Sequence, residues 1–358
     1  MENPVSMLGW AVRRAATLAG GEGPRRITTL DAAPGRELLR DEPGAPFDAP
    51  TCTRVTEDLP GAVSAWPRSR WTAPPRQVWS LPRAGLYDDD GVIYDLASRR
   101  AFVETLTYWN RPPARHPALA LRRGHPAREL DGLTIFLGGL GGQTFYHFLI
   151  EIVPKLALLR PWLHQARRVV VQNYLETNKC AWLRHLGMER PLEWLQPLDH
   201  LRCEQLVFCP PLVTDCRPSG AVVAALRQLA GTGSPGVRTR RIWASRQGAH
   251  VRAAPWEEQL IRQLPPGWEV IDFSRLAPAE VMALGRDCAC FAGLHGAAFA
   301  NLALWPAGVR VLEVYLQPHE PWYPCLSLAS GHAHEVAFAH SAKDVPALLR
   351  RLQSLSAA

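Results

Sequence analysis

His147 and Glu151 stand four residues apart in the run Tyr146-His147-Phe148-Leu149-Ile150-Glu151. On a helix this spacing stacks two side chains on one face. A histidine beside a carboxylate can act as a general base, because its pKa lies near neutrality; the same pair also reads as an ordinary ion pair on a helix surface. A second run, Gly293-Leu294-His295-Gly296-Ala297-Ala298, joins an apolar stretch to a helical pattern that continues through Asn301 to Trp305. Free amides at a helix start, with the helix dipole, favour an anion such as phosphate. Gly296, Ala297 and Ala298 would let that anion approach the backbone, and His295 could donate to it; the plainer alternative is a tight turn with a satisfied histidine. Glu313 lies inside the apolar run Val309–Tyr315 and, if buried, needs partners. Those could be two ribose hydroxyls, as in dinucleotide sites, or a structural ion pair. Arg246 follows Arg241-Ile242-Trp243-Ala244-Ser245, where a guanidinium fork would suit a diphosphate. Arg252 is a second candidate.

Other clusters point elsewhere. His319, Cys325, His332, His334 and His340 match no standard zinc spacing, so no metal site is expected from them. Asp88-Asp89-Asp90-Gly91 could suggest a metal-binding acidic motif, but Asp-Gly before Val92-Ile93-Tyr94 reads as a hairpin turn. Neither G-x-x-x-x-G-K-[ST] nor G-x-S-x-G occurs, which argues against a P-loop enzyme and an α/β-hydrolase. The eight cysteines include no C-x-x-C and are too sparse for a disulfide scaffold; buried reduced thiols are expected.

The elements that would position these residues follow from alternation of apolar runs with helical patterns. Strands are expected at 133–137, 168–171 and 206–208, with helices at 144–159, 177–186 and 218–229. The glycine-rich loop Gly138, Gly139, Gly141, Gly142 precedes the first of these helices. The second half predicts strands at 241–245, 268–272, 288–293, 309–315 and 334–338, and helices at 255–264, 278–286, 297–305, 320–329 and 343–355. Such alternation implies parallel sheets with helices on both faces and ligands beyond the carboxyl ends of the strands. The expected organisation is an irregular Pro/Arg-rich arm over 1–80, partly ordered by Trp66, Trp71 and Trp79. A Rossmann-like lobe over 81–230 and another over 238–358 follow, joined by the Gly-rich segment 231–237.

Composition narrows the function. Of 358 residues 47% are apolar, which excludes whole-chain disorder. The net charge of +7 comes from arginines spread without a basic tract, so a nucleic-acid binder is not expected. Attraction to an acidic membrane face stays open. The start shows no secretory signal. The uncharged stretch 288–309 holds His295, Asn301 and Pro306, which suits a strand, loop and helix better than a membrane span.

Together these segments resemble glycosyltransferase family 61, whose bacterial members are often labelled capsular polysaccharide biosynthesis proteins. Thr144-Phe145-Tyr146-His147-Phe148 with Glu151 and Pro154 is similar to the family's Tyr-Tyr-His-Trp-x-x-Glu-x-x-Pro helix. Trp243-Ala244-Ser245-Arg246 is similar to its Ile-Ser-Arg strand end. Gly293-Leu294-His295-Gly296-Ala297 through Asn301, then Val311-Leu312-Glu313-Val314, is similar to its Gly-x-His-Gly-Ala-x-x-x-Asn block and following strand. The resemblance implies a GT-B fold with an inter-lobe cleft, inversion at the anomeric carbon, no cofactor and no essential metal. It implies that Arg246, His295, Gly296, Ala297 and Glu313, with Ala298 and Asn301 beside them, hold a nucleotide-sugar donor. His147 or Glu151 would be the base for a hydroxyl of a cell-surface glycan acceptor. The expected location is cytoplasmic, with peripheral contact at the inner membrane face open. Two departures stand out: Trp256-Glu257 replaces an Asn-Glu pair, and only Arg252 remains of an arginine cluster. They keep an alternative in view, a catalytically silent GT-B module that binds nucleotide-sugar or glycan as a scaffold.

Overall fold

The structure, a computed structural model, describes residues 24, 26–48, 70–106, 112–120, 126–139, 141, 142, 144–173, 177–249, 251–317 and 319–357. Cys52 and Trp66 lie outside them. The chain divides into two units: Met1–Ala45 with Pro74–Asp215, and Pro46–Ala73 with Cys216–Ala358.

The first unit holds β1 (Arg26–Thr28) and β2 (Glu37–Glu42); β3 (Pro46–Asp48) and β4 (Arg70–Thr72) pair with each other in the second unit. The first unit continues with β5 (Arg76–Tyr87), β6 (Val92–Asp95), β7 (Arg100–Phe102), β8 (Arg128–Leu137), β9 (Arg168–Gln172), β10 (Leu192–Leu195) and β11 (His200–Phe208). The sheet order is β1-β7-β6-β5-β11-β8-β9-β10, with β2 on the first half of β5. β11, β8, β9 and β10 run parallel, whereas β5 is antiparallel to β11 and to β6. The sheet is therefore mixed, not the wholly parallel one expected. Its antiparallel part follows from the short turns at 88–91 and 96–99, which can join only antiparallel neighbours. The first is the expected hairpin turn, closed by Gly91 N–H donating to the Asp88 carbonyl at 2.9 Å. Residues 76–80, read from sequence as part of an irregular arm, begin the 12-residue β5. Pro74 and Pro75 do not break it, because they precede its first residue. Leu81, Leu86, Ile93 and Phe102 share one core with Phe136, Val170 and Leu195, so a single apolar cluster runs across the sheet from β7 to β10.

The second unit carries β12 (Arg240–Ala244), β13 (Trp268–Ile271), β14 (Cys288–Leu294), β15 (Arg310–Tyr315) and β16 (Ala333–Phe338). They form a wholly parallel sheet in the order β13-β12-β14-β15-β16. β14 and β15 are buried along almost their whole length, as central parallel strands covered on both faces must be. The helix Gly220–Ala230 also belongs here: Arg227 Nη2 donates to the Ser330 carbonyl at 2.7 Å, and Thr232 Oγ1 to that of Leu304 at 2.7 Å. The units thus divide at 215/216, ahead of the Gly-rich segment 231–237 that sequence suggested.

One expected helix differs in kind. Ala297–Ala303 is a short 3-10 helix. Asn301 Nδ2 donates to the Ala298 carbonyl at 2.9 Å, taking an acceptor that an α-helix would use for its own ladder. No helix among the described residues is long and apolar enough to cross a membrane.

His332 gives this unit a pH dependence. Its Nδ1 accepts from Val309 N–H at 3.2 Å and its Nε2 donates to the Leu302 carbonyl at 2.9 Å, so the neutral ring fills both roles. Burial pushes its pKa down to about 4. Between that value and the ordinary histidine value the unfolded chain binds the extra proton, so stability falls as pH drops from about 6.5 towards 4. A shift of that size is worth about 3 kcal/mol. Denaturation midpoints measured across this window should decline in the wild type and decline less steeply in His332→Asn.

Candidate active site

The order of the parallel sheet places its topological switch between β12 and β14, the first and third strands of that sheet in chain order, where chain connections leave in opposite directions. Arg246 follows one of these strands and His295 follows the other, so the expected pair does share a crevice edge. Arg246 is held from behind. Its backbone N–H donates to Glu257 Oε1 at 2.9 Å, and its Nη2 donates to the Val251 carbonyl at 2.6 Å. Glu257 is buried and also accepts from Trp243 Nε1 at 2.9 Å. Burial raises the Glu257 pKa, while the bonds from Arg246 and Trp243 oppose the rise. Burial, with Arg252 nearby, lowers that of Arg246. Glu257 thus positions the arginine; in sequence it was visible only as half of a departed Asn-Glu pair.

Gly296 has a different use from the one expected. A Cβ there would lie 2.0 Å from Arg246 Nη1, so the missing side chain makes room for the guanidinium. Because the clash is with the far end of a flexible side chain, Gly296→Ala should leave the melting temperature nearly unchanged. It should displace the Arg246 guanidinium and weaken binding of an anion such as pyrophosphate about tenfold, the worth of one charge-assisted hydrogen bond of about 1.5 kcal/mol or more. Calorimetric titration of the variant checks this.

His295 and Glu313 form the centre of a buried network. His295 Nδ1 donates to Glu313 Oε1 at 2.5 Å. Glu313 Oε2 accepts from Tyr315 Oη and from His334 Nε2, both at 3.1 Å, and His334 Nδ1 meets Ser327 Oγ at 2.7 Å. Glu313 is fully buried and both its oxygens are engaged. It is not placed to take ribose hydroxyls; the structural alternative raised from sequence is the one observed. Burial pushes its carboxyl up, but the bonds from His295 and His334 outweigh this and leave the pKa below its ordinary value. His319 stacks on His295 with ring centroids 4.0 Å apart, its pKa pushed down to about 4 by burial and by His295. A pocket of about 260 Å³ opens here, lined by Arg252, Leu294, His295, Leu316, Gln317 and His319. Ala297 and Ala298 are half-buried beside it in sequence, and Asn301 is buried, its side chain spent on the 3-10 turn. The helix dipole expected at this position is correspondingly small.

In the first unit, β8 ends at the glycine loop and the chain enters a helical stretch over 145–159. Phe148–Ile152 is a π turn within it. Pro154 lacks the N–H that would donate to Ile150, which accounts for the irregularity. His147 Nδ1 donates to Glu151 Oε1 at 2.5 Å, and both side chains are mostly buried. Lys155, one further helical step on, is buried, and its Nζ donates to the Gly138 carbonyl at 2.7 Å. Burial lowers its pKa, while Cys209 and Glu151 nearby oppose the shift. Gly139 N–H donates to Gln172 Oε1 at 3.3 Å, and Gln172 Nε2 to the Asp89 carbonyl at 2.9 Å, which ties the glycine loop to the acidic turn. Lys155 was missed from sequence, although the i, i+4, i+8 spacing from His147 marks it.

The acidic turn lies beside this stretch in the first unit. The Asp88, Asp89 and Asp90 carboxylates each bring an oxygen within 4.8 Å of the others, and Asp88 Oδ1 accepts Leu198 N–H at 2.9 Å. No disulfide joins the described cysteines, and burial pushes the Cys209 thiol up to about 12.

Fold and site define an α/β protein with a parallel-sheet ligand crevice and a histidine–carboxylate pair in each unit. The family model described as Glycosyltransferase 61 matches residues 145–312. The chain therefore carries a glycosyltransferase family 61 segment that includes His147, Glu151, Arg246, His295 and Gly296 and ends one residue short of Glu313. No curated protein matches the chain.

Proposed function

We propose that the protein is an inverting, metal-independent hexosyl- or pentosyltransferase of GT-B organisation. It would move a sugar from a nucleotide-sugar to a hydroxyl of a cell-surface glycan. The observation that carries the reading is the convergence of Arg246 and His295 on the switch point between β12 and β14, beside a pocket rimmed by Arg252. Cationic and N–H donors at this edge suit a diphosphate whose negative charge grows as the sugar leaves. The second-unit pair serves that leaving group: with Nδ1–H bound to Glu313, His295 donates to the diphosphate through Nε2–H in its imidazolium form.

The first-unit pair serves the acceptor. Glu151 accepts a hydrogen bond from Nδ1–H of His147, and this tautomer makes Nε2 the basic nitrogen towards an attacking hydroxyl. His147 is thus the base and Glu151 the group that orients it. In the reaction the acceptor oxygen bonds to the anomeric carbon, its proton passes to His147, and the sugar–phosphate bond breaks to release nucleoside diphosphate. A thermal-shift screen against UDP-, GDP- and dTDP-sugars, with CMP-sugars as the monophosphate comparison, with and without magnesium, tests donor binding. A ligand at 100-fold excess over Kd adds about 2.7 kcal/mol of apparent stability. The expected result is a shift with one nucleotide class, unchanged by magnesium and lost in Arg246→Ala. A shift that requires magnesium, or none at all, contradicts the reading.

A further inference from the structure

The first unit contains a second cavity, an open groove of about 910 Å³ near the N-terminal ends of β8 and β11. The Gly138 loop and His147 lie past the other end of β8. The groove forms where β5 exchanges edge partners: its residues up to Ser80 pair with β2, and those from Ala84 pair with β6. Its volume lies within the range of about 300–1,000 Å³ usual for ligand sites.

The lining has three chemical parts. Arg83, Arg99 and Arg202 supply guanidinium donors. Asp95, Glu129, Asp131 and Glu204 supply acceptors, each fixed by its own partner. Ser98 N–H donates to Asp95, Arg202 to Glu129, Arg168 to Asp131, and Gly132 N–H to Glu204. Pro34, Pro82 and Leu96 add apolar surface. Four carboxylates against three guanidiniums leave no excess of positive charge to select an anion. The arginines would in turn repel a cation. Donors and acceptors interleaved with apolar patches match a ligand that is itself neutral, rich in hydroxyls and apolar on its ring faces.

Backbone geometry gives an independent sign. Arg83 has φ +51° and Arg99 φ +55°, the left-handed region where glycine is the relaxed residue. Both line the groove, and both keep a long cationic side chain in a conformation that disfavours one. Strained positions of this kind gather at ligand sites.

The geometry points to a binding site for a neutral oligosaccharide, several sugar rings long, separate from the candidate catalytic edge. The assignment takes from the proposed function only that the ligand is a glycan; the groove would hold a stretch of acceptor chain distant from the reacting hydroxyl.

Glycine substitution separates binding from folding here, since glycine relaxes the backbone as it removes the side chain. Calorimetric titration of the full chain would use neutral tetrasaccharides of glucose, galactose, mannose, xylose and N-acetylglucosamine, with a galacturonate tetrasaccharide as the acidic comparison. The expected result is 1:1 binding of at least one neutral probe, weakened at least tenfold in Arg83→Gly/Arg99→Gly. The variant should still unfold in one cooperative transition, and the nucleotide-sugar shift should be retained. Wild-type affinity in the double variant, binding of the galacturonate probe alone, or binding of none of the neutral probes would overturn the proposal. Failure of the nucleotide screen with groove binding intact would instead count against the transferase reading.

Discussion

His147→Ala is expected to lower kcat about 10²- to 10⁴-fold, the usual worth of a positioned general base, with the fold retained. The side chain projects from a helical stretch anchored by Phe148, Leu149, Ile150, Ile152 and Val153, all fully buried, so the scaffold does not depend on the imidazole. The donor-induced thermal shift should persist in the variant, because the proposed donor ligands lie on β12 and β14. Glu151→Gln should lose less: the amide oxygen can still accept the Nδ1 proton and keep the tautomer, but it no longer stabilises the imidazolium that forms as His147 takes a proton. Single-turnover kinetics with melting curves check both. A His147→Ala enzyme of wild-type rate would remove this histidine from the mechanism.

The second large effect separates His295 from Glu313. His295→Ala should slow turnover about 10²- to 10³-fold, equivalent to about 2.7–4 kcal/mol of lost transition-state stabilisation, at a smaller cost in stability, because the buried Glu313 carboxylate loses one partner but keeps Tyr315 and His334. Glu313→Ala should instead destabilise the second unit by about 3–5 kcal/mol, because it leaves His295, His334 and Tyr315 around an emptied carboxylate site. Denaturant unfolding followed by tryptophan fluorescence reads the difference, with Trp243 and Trp305 fully buried in that unit. Equal stability of the two variants would contradict the central place given to Glu313.

The parts of this arrangement that sequence reveals are those set by local pattern. β12 to β16 were legible almost to the residue, because parallel strands covered on both faces produce continuous apolar runs between glycines and prolines. β2 was not, since Glu37-Leu38-Leu39-Arg40-Asp41-Glu42 is a polar edge strand with no core face to betray it. β5 was hidden by Pro82 within it and by the prolines ahead of it. The same divide runs through the site. His147 with Glu151, and His295 with its small neighbours, declare themselves by spacing. The role of Glu313 does not, because His334 comes from the neighbouring strand β16, and the pairing of β15 with β16 is a property of the sheet alone. Glu257 reaches Arg246 only because the chain folds back across β12, and Gly296 acquires its purpose only once Arg246 is seen against it.

The central claim is that the second-unit crevice holds a nucleotide-sugar donor whose sugar the protein transfers. The most direct test incubates the full chain with the nucleotide-sugar that binds, together with a glycan acceptor, and follows release of nucleoside diphosphate and the anomeric configuration of the product. The account predicts release that depends on protein, an inverted product, and loss of both in Arg246→Ala and His147→Ala. Tight donor binding with no release, from any acceptor offered, would contradict it and leave a binding module in place of a transferase.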